Sequence, residues 1–400
     1  MTEGMHRNIF REARRMDPVE PSPIRDLMDE VAAMKGKYDD VVSFCAGEPD
    51  FSTPEPIKRE TIRALRENDT HYASSLGVLS LRREISRKIK EESGCSYDPE
   101  TEIMVTCGAA EAINNVLLSF LNPGDEVLVF TPAFITYKNL VLMTGAKFVE
   151  VPLNREAGYQ INMDLVKKLT TERTRAVILN NPCNPTGAVF EEEGLGALCR
   201  WIREKNLMVI ADEIYADIVY DGKKTCSVAS FPDMKERLLL ISGFSKTYAM
   251  TGWRIGYVAA DRRFMETLLK FHTYCSTCEP TFLQSGIARG LRDPETLQAV
   301  DRMVETFAKR RELVLKGLDK IDHIRYVKPY GAFYILLDVS ETGMDGYQFS
   351  RELLQKKHVA VVPADAMGKG CREIVRLSYA CSGEMIREGL RRMREFVTEK

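Results

Sequence analysis

Seven short runs of aliphatic and β-branched residues recur along the first two thirds of the chain: Ile103–Cys107, Glu126–Phe130, Lys147–Val151, Ala176–Asn180, Leu207–Ala211, Leu238–Ser242 and Ile255–Ala259. Helix-period segments, Glu111–Leu121, Ile135–Met143, Met163–Leu169 and Glu191–Lys205, lie between several of them. Strands this apolar must be covered on both faces, and a helix between consecutive strands is what a parallel crossover needs. The pattern therefore predicts an α/β chain: a large domain with a seven-stranded, mostly parallel sheet flanked by helices. After Glu279 it changes to a long charged helix, Pro294–Ile321, strands at Tyr334–Val339 and Ile374–Leu377, and a terminal helix rich in Arg and Glu. The expected division is a large domain over residues 47–290 and a smaller α+β domain built from both termini, 1–46 and 291–400. The first part of that small domain carries one amphipathic helix, Ile24–Met34.

Composition excludes several classes of function. With 56 basic and 58 acidic side chains in 400 residues, the net charge of −2 offers no surplus for a polyanion. The longest apolar runs are five or six residues, far short of the roughly 20 that span a bilayer. No signal-like segment is evident, so a cytoplasmic protein is expected. Ten cysteines are too dilute for a disulfide framework and read as mostly reduced core thiols. Cys275 and Cys278 have metal-site spacing but lack a second pair, so no metal is expected. The five histidines suggest no triad, and neither a dinucleotide nor a nucleoside-triphosphate phosphate loop occurs.

The informative residues stand where apolar strands end, which is where open α/β sheets bind ligands. Ile103–Cys107 runs into Gly108, Ala109 and Ala110 and then a helix, a turn whose free N–H groups suit a phosphate. Leu207–Ala211 ends at Asp212, an acid costly to bury without a cationic or hydrogen-bonding partner, although a helix N-cap would also explain it. Leu238–Ser242 delivers Ser245 and Lys246. A lysine there is a candidate amine nucleophile because desolvation favours its neutral form. Arg254 stands among glycines and wants an anion, and Asn184 sits in a proline-rigidified turn after Ala176–Asn180. Together these residues describe a pocket for a phosphorylated, aldehyde-bearing heteroaromatic ring.

From about Pro21 onward the chain resembles the class I/II aminotransferase family of fold-type I pyridoxal-phosphate enzymes, in the subgroup with bacterial aspartate and aromatic aminotransferases. The strings NNPCNPTG (180–187), ADEIY (211–215), FSKTY (244–248), TGWRIG (251–256) and RLSY (376–379) occur in the family's order. The resemblance implies an aminotransferase that moves an α-amino group from an amino acid to a 2-oxo acid, 2-oxoglutarate by family habit, with pyridoxal 5′-phosphate as cofactor. It implies that Lys246 forms the internal aldimine and carries the proton, that Asp212 pairs with the pyridine nitrogen, and that Tyr215 and Asn184 hydrogen-bond the ring's phenolic oxygen. Gly108, Ala109, Ala110, Ser245 and Arg254 would hold the phosphate, and Phe134 would stack on the ring. Arg376 would clamp the substrate carboxylate with help from Gly47 and Asn184, and Ile24 would shape the side-chain pocket. Tyr72 resembles the tyrosine that reaches the phosphate of the neighbouring subunit, which implies a homodimer with shared active sites.

One departure is Gly243, where many relatives carry a second serine; one phosphate hydrogen bond fewer implies anchoring weaker by about 1 kcal/mol. A β-lyase on the same cofactor and fold is the alternative activity, because these motifs position the ring and not the outcome. A cofactor-binding transcriptional regulator would need a DNA-binding module that the ~45 residues before Gly47 do not supply. No second arginine announces an acidic side chain, so aspartate, aromatic and other donors stay open.

Overall fold

Alternate residues of the apolar runs point to opposite faces of one sheet. Val105, Leu128, Val177, Val209 and Leu240 join one core, and Met104, Val127, Ile178, Ile210 and Leu239 join another. The computed structural model describes residues 12–20 and 23–399, with side chains from residue 26 onward in the second stretch. Its central sheet has the order Ile103–Thr106, Gly256–Ala260, Leu238–Gly243, Met208–Asp212, Thr174–Asn180, Glu126–Thr131, Lys147–Pro152. All neighbours pair in parallel except Gly256–Ala260, which runs antiparallel to both of its own. The expected seven strands are therefore present, each within a residue or two of the predicted limits.

Helix boundaries follow local chemistry. Asn162 accepts from the N–H groups of Asp164 and Leu165 and starts Met163–Leu169. Asp293 accepts from Glu295 N–H, and Pro294 opens Pro294–Leu318, which ends three residues before the expected Ile321. The helix expected at Glu111 begins already at Gly108, directly on the strand end. Five further helices, Glu55–Arg66, Leu79–Ser93, Arg262–Cys275, Thr281–Gly290 and Gly346–Lys357, fall where no helix was expected.

The carboxy-terminal part holds a four-stranded antiparallel sheet in the order Val362–Pro363, Ile374–Ser378, Tyr334–Asp338, Arg325–Tyr326. Its core gathers Phe307, Phe333, Phe349 and Phe396. Val42–Ser43, after the helix Pro23–Lys35, pairs in parallel with Val359–Ala360 and ties the amino-terminal segment to this part. No helix among the described residues is long and apolar enough to cross a membrane.

Candidate active site

The strand ends converge on a cavity of about 500 Å³, whose lining includes Ala109, Phe134, Asn184, Asp212, Lys246, Arg254 and Arg376. Lys246 follows the strand Leu238–Gly243, and its Nζ donates to the Gly47 carbonyl at 2.6 Å. Withdrawal from water lowers its pKa to about 8. Glu48 and Asp212 hold it up against that, while Arg254 and Arg376 push it further down. In the cofactor-free protein, modification of Lys246 by an amine-directed reagent should therefore rise with pH to a midpoint near 8, because only the neutral amine reacts. Peptide mass mapping across pH checks this, and a midpoint near an ordinary lysine's ~10.4 would contradict it.

Asp212 closes the strand Met208–Asp212 and is 4% exposed. Its Oδ2 accepts from the Tyr137 hydroxyl at 2.5 Å and its Oδ1 from the Ile214 N–H at 3.2 Å. Burial nevertheless raises its pKa, with the Tyr137 hydroxyl, the Ile214 amide and Lys246 opposing that rise. A protonated ring nitrogen against Asp212 would supply the missing positive charge, so the carboxylate fits a pyridine ring.

The phosphate end is built by close backbone approach. Gly108, at φ +73°, opens the helix Gly108–Phe120, and a Cβ there would lie 2.5 Å from Nη2 of Arg254. Arg254, itself left-handed at φ 56°, donates to the carbonyls of Thr251 at 2.9 Å and Cys107 at 3.4 Å. A guanidinium held by neutral acceptors beside a helix N-terminus, with Ser245 in the same cavity wall, fits a phosphate. Phe134 forms a wall of the cavity and meets Tyr137 edge-on at 5.7 Å.

Arg376 lies in the strand Ile374–Ser378 and is 4% exposed, yet no carboxylate among the described residues meets it. Nη1 donates to Asn184 Oδ1 at 3.1 Å, Nη2 to the Cys45 carbonyl at 3.3 Å, and Nε has no partner among the described residues. The guanidinium lies 4.6 Å from the centroid of the Tyr334 ring. A buried cation with an orphaned donor, facing the cavity that holds Lys246, is suited to an anionic group such as a substrate carboxylate.

Most of the expected residues thus meet at one place. Tyr215 is buried in the cavity wall and shares a hydrogen bond of 3.1 Å with Tyr334, and burial raises its pKa well above the ordinary value. Tyr72 does not join them: it is 86% exposed, on the loop that precedes Leu79–Ser93. Ile24 lies outside the residues whose side chains are described. Sequence reasoning missed Tyr137, Tyr334, Met28, Glu48 and Thr251, all of which line the cavity. Glu48 Oε2 accepts from the Thr251 hydroxyl at 2.6 Å. Of these Glu48 carried a signal in its place beside Gly47, and Thr251 in opening the string TGWRIG. Elsewhere, His272 is buried with Nδ1 3.0 Å from Glu111, and these two with Glu279 form the one group of potential metal ligands among the described residues; Cys275 and Cys278 are not in it. All ten cysteines are free thiols.

At Gly243, where the resemblance implied one phosphate hydrogen bond fewer, the structure gives a packing reason for the glycine. Gly243 pairs with Gly256, and a Cβ on it would lie 2.8 Å from Gly256 Cα and 3.1 Å from the Ile255 carbonyl. The glycine answers to strand packing, and no space for a serine exists there. Gly243→Ser is expected to cost about 1–3 kcal/mol of stability with no gain in cofactor affinity, read by thermal unfolding and cofactor titration.

A family model described as aminotransferase class I and II matches residues 39–393. The chain is 43% identical to an aspartate aminotransferase of Pyrococcus abyssi, over 96% of this chain and 98% of that one. It is 40% identical to an aromatic-amino-acid aminotransferase of Thermococcus litoralis, over the same shares. Among solved structures, an aspartate aminotransferase from Thermus thermophilus with maleate superposes with a TM-score of 0.92 at 34% identity, covering 97% of this chain and 100% of the other.

Proposed function

Because the chain belongs to the class I and II aminotransferases, we propose how its own residues carry out amino-group transfer. The protein is a pyridoxal-phosphate-dependent transaminase that moves an α-amino group from an amino acid to a 2-oxo acid. The cofactor, when bound, supplies an aldehyde that carries the amino group and a ring that takes up the electrons of the α-carbon. The division of labour is the proposal. Lys246 offers a neutral amine near pH 8 and carries the proton from the substrate α-carbon. Asp212, steadied by Tyr137, holds the ring nitrogen protonated. Tyr215 and Asn184, both in the cavity lining, would hydrogen-bond the phenolic oxygen. The start of Gly108–Phe120, Ser245 and Arg254 hold the phosphate, and Arg376 orients the substrate by its carboxylate so that its α-hydrogen faces Lys246.

The observation that carries this reading is Arg376, buried, unpaired by any carboxylate among the described residues and opening on the same cavity as Lys246 and Asp212. The proposed acceptor is 2-oxoglutarate. We further propose a cytoplasmic homodimer in which Tyr72, exposed in the single chain, reaches the partner's phosphate, with residues 47–290 as the cofactor-binding domain and 1–46 with 291–400 as the small one. The test mixes purified protein with a panel of amino acids and no acceptor. Stoichiometric release of the matching oxo acid, with a shift of the cofactor's visible absorbance, is expected. Catalytic release of pyruvate and ammonia would favour β-elimination instead.

A further inference from the structure

Behind Lys246, on residues that do not line its cavity, a polar bridge joins three separate segments. The Thr247 hydroxyl, 5% exposed and adjacent in sequence to Lys246, donates to Asp217 Oδ2 at 2.7 Å. Asp217 in turn accepts from Lys88 Nζ at 2.9 Å on Oδ1 and 3.1 Å on Oδ2, and Lys88 also contacts Glu92. Asp217 lies two residues after Tyr215 and five after Asp212, and Lys88 stands on the helix Leu79–Ser93. Lys88 lines, with Phe244 and Tyr248, a second cavity distinct from the one that holds Lys246.

We propose that Asp217 is a positioning residue for Lys246: by holding the Thr247 hydroxyl it fixes the backbone from which the reactive amine projects, and ties it to the segment that carries Tyr215 and Asp212. The inference rests on the assignment of Lys246 above. The physical case is one of leverage. The lysine side chain has four rotatable bonds, and its only hydrogen bond among the described residues is to Gly47 O. Its terminal nitrogen is thus placed chiefly by where its Cα sits. Thr247 is anchored through its side chain to Asp217, so the peptide between Lys246 and Thr247 cannot drift without breaking that hydrogen bond. A small misplacement of a reacting group costs rate much more than binding.

The test uses the full-length protein with Thr247→Val, Thr247→Ser, Asp217→Ala and Asp217→Asn. Thr247→Val and Asp217→Ala are expected to lower kcat by about tenfold with KM changed less than about twofold, and Thr247→Ser to restore most of it. The second readout needs no turnover. Cofactor is added to cofactor-free protein, and its covalent attachment to Lys246 is trapped by borohydride and timed by mass spectrometry; Thr247→Val should slow it about as much as it slows kcat. Asp217→Asn keeps an oxygen for Thr247 and gives up only the charge facing Lys88, so it should retain most of the trapping rate while unfolding at lower temperature. An unchanged trapping rate in Thr247→Val would overturn the proposal. So would a loss in Asp217→Asn as large as in Asp217→Ala, which would place the effect in the ion pair with Lys88. Should the parent protein itself trap cofactor on a different lysine, the assignment of Lys246 fails, which is a separate result.

Discussion

Lys246→Ala is expected to lower turnover by about 10⁴-fold or more while leaving a folded protein that still binds cofactor. The size follows from removing two roles with one amine, the covalent attachment point and the carrier of the α-proton. Survival of the fold follows from position. Among the described residues Nζ makes one hydrogen bond, to Gly47, and the side chain reaches into a cavity and not into a core cluster. Cofactor retention is expected from the separateness of its other proposed holders, since Asp212, Arg254 and the start of Gly108–Phe120 come from different segments of the chain. Single-turnover absorbance with substrate, together with mass analysis after borohydride reduction, reads both parts. Full activity in the variant, or an adduct on another lysine, would end the assignment.

Arg376→Met is expected to raise KM for both the amino acid and the oxo acid by about 10²–10³-fold, the cost of losing a charge-assisted, desolvated contact of roughly 3–4 kcal/mol. Cofactor affinity should stay near that of the parent, because Arg376 bonds Asn184 and Cys45 and not the phosphate end. Arg376→Lys should recover only part, since an ammonium cannot reproduce the two-pronged geometry. The variant also leaves Asn184 Oδ1 without a donor it now has, so kcat should fall as well, by less than KM rises. Steady-state kinetics with both substrates decides the matter; an unchanged KM would move the carboxylate site elsewhere.

The seven strands and the residues at their ends were legible because parallel strands buried on both faces must be apolar, which makes each polar residue at a strand end conspicuous. Asp212, Lys246 and Asn184 stood out for that reason. The five unexpected helices were not legible, and Glu55–Arg66 shows why. Only Pro56, Ile57, Thr61 and Ala64 are buried in it, so most of its apolar signal is swamped by charges facing water. Tyr137 and Tyr334 were missed for a different cause. Each sits inside an element and reads as an ordinary core aromatic until the partner across the fold, Asp212 or Tyr215, is known.

Gly243 marks the limit of reasoning from resemblance. Its identity looked like a lost phosphate ligand, whereas the neighbouring strand's Gly256 dictates it. The family, the sheet and the set of chemically active side chains were determined by the sequence itself, since local pattern and residue type carry that information over short stretches. Which hydroxyl meets Asp212, how Arg376 comes to be buried without a counter-charge, and how Thr247 is moored to Lys88 through Asp217 were decided only by the tertiary structure. Those contacts join residues 75, 192 and 30 positions apart in the chain for the Tyr137–Asp212, Asn184–Arg376 and Asp217–Thr247 pairs, and no local pattern encodes the packing that closes such distances.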